Sequence, residues 1–167
     1  MKKTFLLFTL TLLLASMLMS CSSEQYSPEK PVKITSIDNK EFVLGKNMEK
    51  PAVVVFFATW CPGCKRMFPV LNKFINQQDL TQLDVIAIGR EHTKEELKQW
   101  SDTLNYSFSY APDPNREIFN LFADKHVPRI YLFDKDGKIV FQTVGFTINK
   151  ISAMQEAIDL ITKKQAE

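Results

Sequence analysis

Val53-Val54-Val55-Phe56-Phe57 is an unbroken apolar run rich in β-branched side chains, which predicts a strand buried on both faces. Leu83-Asp84-Val85-Ile86-Ala87-Ile88-Gly89 predicts a second of the same kind. Val32 to Ile37 and Glu41 to Leu44 alternate on either side of Asp38-Asn39-Lys40, the pattern of an N-terminal hairpin. Ser107 to Tyr110 reads as a short strand. Arg129 to Phe133 and Lys138 to Val144 read as two more, joined by the turn Asp134-Lys135-Asp136-Gly137. Helical spacing takes over between the strands. Met67, Val70, Leu71, Phe74 and Ile75 predict a helix that begins at the cysteines and runs to about Gln78, with Pro69 inside it. Thr93 and Glu96 form a capping box for a helix over 94–104. Asp113-Pro114 predicts a helix over about 115–125 that buries Ile118, Leu121 and Phe122. Ile151, Met154, Ile158 and Ile161 share one face of a last helix over about 149–164. The alternation predicts an α/β domain, a central mixed sheet with helices on both faces.

The first 20 residues follow a different pattern. Lys2 and Lys3 precede the apolar stretch Phe5 to Ala15, and small residues follow, as in an export signal. Leu18-Met19-Ser20-Cys21 resembles a bacterial lipobox, where cleavage before the cysteine leaves a lipid-bearing residue. A soluble secreted protein or an uncleaved anchor would also fit the leader, but lipidation accounts for Cys21, the odd one of three cysteines. Three segments follow: residues 1–20 a lipoprotein signal peptide, 21–31 a polar lipidated tether containing Pro28 and Pro31, and 32–167 one domain. A chain of 167 residues suits one such domain and not two. Past residue 20 the charges balance, 19 basic against 19 acidic. No excess of positive charge offers a nucleic acid a binding face.

The candidate chemistry lies where the first buried strand gives way to a helix. There the chain reads Trp60-Cys61-Pro62-Gly63-Cys64-Lys65. Cys61 falls at or beside the N-cap, Pro62 near the first helical position and Cys64 in the first turn. Free N–H groups and the positive dipole end favour a thiolate there. Such a thiol attacks disulfides, and a second thiol two residues on can close a small ring and release the product. A structural disulfide and half of a zinc site are the competing readings. No second ligand pair is present to complete the zinc site. Copper held by the thiols with His92 or His126, the two histidines, is a further alternative.

The word Trp60-Cys61-Pro62-Gly63-Cys64-Lys65, with Val127-Pro128 farther on, resembles the thioredoxin superfamily, and most closely its membrane-anchored TlpA/ResA-like branch. The likeness runs over about 32–164. It implies a thioredoxin-like fold and a thiol–disulfide oxidoreductase with no cofactor, in which Cys61 and Cys64 are catalytic and form the redox disulfide. It implies that Pro128 is a cis-proline facing the cysteines and that Val127 offers backbone groups to an extended substrate. Trp60 resembles the tryptophan that shields the family's site and affects substrate approach. Lys65 and Arg66 read as a solvated helix face that adds positive potential near Cys61. Arg129 departs from the small or hydroxyl residue usual after the proline. Val55 stands where thioredoxins proper carry a buried aspartate. Glu91, at the carboxyl end of the neighbouring strand, is therefore the candidate for moving the Cys64 proton. The implied partners are protein thiols and disulfides, with a membrane redox protein as electron donor. The implied place is the cell envelope, lipid-anchored and facing the periplasm. A reductase is favoured over an oxidase by likeness to the branch that keeps apocytochrome thiols reduced. The competing function, by likeness to the Sco type, is copper delivery through the same thiols.

Overall fold

A computed structural model describes residues 26–27, 29–104 and 106–163. Cys21 and the leader lie outside the described residues. β1 (Val32–Thr35) and β2 (Glu41–Leu44) pair antiparallel as the expected hairpin, Val32 opposite Leu44 and Thr35 opposite Glu41. Five strands form the main sheet: β3 (Ala52–Phe57), β4 (Asp84–Arg90), β5 (Ser109–Asp113), β6 (Arg129–Phe133) and β7 (Ile139–Val144). Their order is β5-β4-β3-β6-β7. β3 runs parallel to β4 and antiparallel to β6, so the sheet is mixed as expected. The all-apolar β3 takes the central place, where each of its residues is buried.

Strand alternation divides the core in two. Val53, Val55 and Phe57 point to one side, with Met67, Leu71 and Ile75 of α1 (Pro62–Ile75), Leu97 of α2 (Lys94–Ser101), and Met154 and Ile158 of α3 (Ile148–Lys163). Val54 and Phe56 point to the other, beneath Ile34, Phe42 and Leu44 of the hairpin and Phe119 of a 3-10 turn (Phe119–Leu121). Phe68 of α1 meets Phe57 and Trp100 edge to face and stacks on Phe108, at centroid distances of 4.8, 5.1 and 5.8 Å. Full burial of a side chain this large contributes roughly 1.5–3 kcal/mol, so this aromatic group fixes α1 against the end of β3.

One expected element is much shorter than the pattern suggested. The helix over 115–125 reduces to the 3-10 turn. Arg116 takes the left-handed conformation at φ 61, which interrupts a helix. Asp113 is the last residue of β5, and its buried carboxylate accepts from the N–H groups of Ile118 (3.1 Å) and Phe119 (2.8 Å). The residue that read as an N-cap does cap, but across a looped connection. Burial raises its carboxyl above the ordinary aspartate range, and the N–H donors pull the other way.

Candidate active site

The carboxyl end of β3 delivers the chain into a tight turn, with the Cys61 N–H donating to the Ala58 carbonyl at 3.1 Å. Cys61 is then the N-cap of α1 and Pro62 its first residue. The Cys64 N–H points back at the Cys61 sulfur, 3.3 Å away. That donor and the helix end both favour negative charge on Cys61 Sγ. The two cysteines differ in access: Cys61 is 7% exposed and Cys64 1%. Burial, and then the hydrogen bond with Cys61, push the Cys64 thiol well above the ordinary thiol range. One sulfur is placed to react first and the other is held protonated behind it.

The loop before β6 closes the site. Val127-Pro128 is a cis peptide, as the resemblance implied. The Cys61 thiol donates to the Val127 carbonyl at 3.5 Å. Gly63 sits against the Pro128 ring, where an added Cβ would meet Cδ at 3.5 Å. Arg129 does more than an exposed strand arginine would. Its Nε and Nη2 donate to the Lys125 carbonyl at 3.1 and 2.8 Å, and Nε also reaches the His126 carbonyl at 3.1 Å. The guanidinium thus staples the loop that presents Val127. Trp60 stands at the rim, 57% exposed.

Cys61, Cys64, Val127 and Pro128 are therefore brought together, with Trp60 beside them. Glu91 is directed elsewhere. Its backbone is left-handed at φ 63, and Oε1 lies 3.0 Å from Arg90 Nη2 and 3.7 Å from Arg116 Nη1. Among the described residues it has no contact with Cys64 on which to rest the expected proton transfer. Val55 lies fully buried in the α1-side core.

The residue that sequence reasoning did not place is His92. The left-handed Glu91 turns the chain so that the His92 ring packs under the end of β3, 6.4 Å from the Phe57 ring. His92 is 6% exposed, and its Nε2 accepts the Thr59 N–H at 3.0 Å. Nδ1 faces Glu96 Oε2 at 3.7 Å, which fits a proton on Nδ1. A histidine just past the end of β4 thus holds the turn that carries Cys61. The one sequence signal was its position just past a buried strand, at the end where α/β sites form. His126, the other histidine, is exposed. No group of three or more His, Cys, Asp and Glu side chains converges as a metal site among the described residues.

Residues 28–142 match the profile of the AhpC/TSA family. The chain belongs to that family. Among curated relatives of this AhpC/TSA protein is the thiol-disulfide oxidoreductase ResA of Bacillus thuringiensis (strain Al Hakam). It is 26% identical over 112 residues, a match covering 67% of this chain and 65% of the relative. A solved Bacteroides thetaiotaomicron protein aligns with a TM-score of 0.72 at 24% identity, over 84% of this chain and 89% of its own. The exposed lipoprotein thioredoxin Etrx1 of Streptococcus pneumoniae aligns with a TM-score of 0.65 at 20% identity, over 78% of this chain and 99% of its own. The expected thioredoxin-like fold and its ResA-like resemblance are borne out.

Proposed function

We propose that this protein exchanges thiols and disulfides with cysteines of other proteins, running as a reductase. One observation carries the reading. Cys61 Sγ lies between the Cys64 N–H, at 3.3 Å, and the carbonyl of cis-bonded Val127, at 3.5 Å. A nucleophilic sulfur thus sits beside backbone that an extended peptide can pair with, and the buried thiol waits behind it. The ResA relative, a thiol-disulfide oxidoreductase, adds support for the chemistry.

The Cys61 thiolate attacks one sulfur of a partner disulfide. A Cys61–partner bond forms, the partner's own S–S bond breaks, and the leaving sulfur takes up a proton. Cys64 then loses its proton and attacks Cys61 Sγ. The mixed disulfide breaks, the second partner sulfur leaves as a thiol, and the Cys61–Cys64 disulfide remains. The partner gains two electrons and two protons. A membrane redox protein that donates electrons restores the dithiol. Val127 orients the partner chain, and Trp60 covers the approach. The chain is anchored through lipid on Cys21, faces the periplasm and carries out exchange without a cofactor.

Trapping tests the reading. Cys64→Ser keeps the attacker and removes the resolver, so envelope proteins should accumulate in covalent complexes that reductant releases. Cys61→Ser should trap almost none. The opposite pattern after acid quench and non-reducing electrophoresis reverses the two roles, and absence of complexes from both variants removes the reading.

A further inference from the structure

The chain past the leader balances its charges, yet the rim of the thiol site does not. Three segments meet there. The first carries the cysteines, and its Lys65 N–H donates to the Cys61 carbonyl at 3.1 Å. The second is the loop from Asp124 to Arg129, tied to the first by the contact of Cys61 with Val127. The third follows β7, where the Gly145 N–H donates to the Pro128 carbonyl at 2.8 Å. Lys150 folds back over that third segment, its Nζ donating to the Val144 carbonyl. Across residues 60–66, 124–129 and 144–150 the cations are Lys65, Arg66, Lys125, Arg129 and Lys150, against a single carboxylate, Asp124.

That carboxylate pairs with Lys125 at 3.7 Å. Among the described residues no carboxylate lies within ion-pair distance of Lys65, Arg66, Arg129 or Lys150. Arg129 spends its donors on backbone carbonyls, so its charge stays uncompensated beside Val127. Two acids close in sequence to His92 are committed elsewhere. Glu91 is held by two arginines, and Glu96 Oε2 accepts the Thr93 N–H at 2.8 Å. Unpaired cations around one cleft attract an oppositely charged partner and speed its approach.

We propose that this rim docks an acidic peptide segment lying next to the partner's reacting cysteine. The inference rests on the thiol–disulfide reading above and names the chemistry of the substrate chain. The cations are carried by the three segments that meet at Cys61 and the Val127-Pro128 backbone, and the first of them also carries exposed Trp60. That combination fits a peptide that carries a disulfide. Acidic residues on either side of that disulfide would lie against Lys65 and Arg66 on one hand and Lys125 and Arg129 on the other.

The test uses the full-length reduced protein in neutral detergent and three short peptides of equal length. Each carries one disulfide, flanked by Asp and Glu, by Ser and Asn, or by Lys and Arg. The acidic peptide should be reduced roughly tenfold faster than the basic one at low salt, with the neutral peptide between them. The spread should collapse near 1 M salt, where the screening length falls to about 3 Å. Lys65→Glu/Arg66→Glu leaves three cations facing three carboxylates, so the spread between the acidic and basic peptides should collapse at low salt as well. Equal rates for the three peptides at low salt overturn the proposal, and inhibition by anionic vesicles in that case gives the rim to a lipid surface. Failure to reduce the neutral peptide removes the exchange reading itself, and this proposal with it.

Discussion

His92→Phe isolates the hydrogen bond by which the segment just past β4 holds the turn bearing Cys61. The ring and its packing on Phe57 are kept, but the acceptor 3.0 Å from the Thr59 N–H is gone. A phenylalanine edge cannot replace it, and little water reaches a side chain only 6% exposed. Leaving a buried donor unpaired costs about 1–3 kcal/mol. The weak pairing with Glu96, whose side chain is 58% exposed, adds at most about 1 kcal/mol. A net loss near 2 kcal/mol, divided by a urea slope of about 2 kcal/mol per M, moves the unfolding midpoint down by about 1 M. His92→Gln is the paired control, because its carbonyl oxygen reaches the position of Nε2 and should recover half or more of the loss. The same two variants should differ in how fast Cys61 is alkylated under native conditions, since the turn that sets the Cys64 N–H against Cys61 Sγ is loosened in one and held in the other. A His92→Phe midpoint equal to wild type, or no recovery by His92→Gln, refutes the assignment.

Three further outcomes follow from other parts of the structure. Cys61 should alkylate before Cys64 near neutral pH; the folded-state Cys64 thiol is raised above its ordinary value of 9.0, so the reduced protein should lose stability as pH climbs past that value, and Cys64→Ser should lose less, as read by urea midpoints across alkaline pH. Gly137→Ala should cost more than about 3 kcal/mol, because the residue is at φ 73 and an added Cβ would lie 2.5 Å from the Gly45 backbone, whereas Gly145→Ala, at φ 69 with its Cβ in ordinary contact with Lys150 Nζ at 3.9 Å, should cost roughly 1–2 kcal/mol; similar denaturation midpoints for the two would contradict the close approach. Cys21→Ser should abolish fatty-acid labelling and detergent partitioning with the domain still folded, and persistent labelling would end the lipoprotein reading.

Much of this protein is decided locally and can be read along the chain. An all-apolar run of β-branched residues has nowhere to go but the centre of a sheet, and β3 lies there. A Cys-Pro-Gly-Cys word between that strand and an amphipathic stretch has its geometry dictated by cap preferences, so Cys61 at the N-cap needed no tertiary information. The Thr93–Glu96 capping box formed for the same reason. Other features arise only when distant segments meet. Periodicity could not foretell that Arg116 would turn left-handed and that Asp113 would cap across a loop, because a tertiary contact there outweighs a weak local preference. The direction of Glu91 and the placement of His92 hang on a single left-handed backbone angle, which sends one side chain to two arginines and the next beneath Phe57. The positive rim is likewise invisible in a balanced composition. Five cations scattered over three segments become one surface only when the Cys61–Val127 and Gly145–Pro128 contacts bring those segments together.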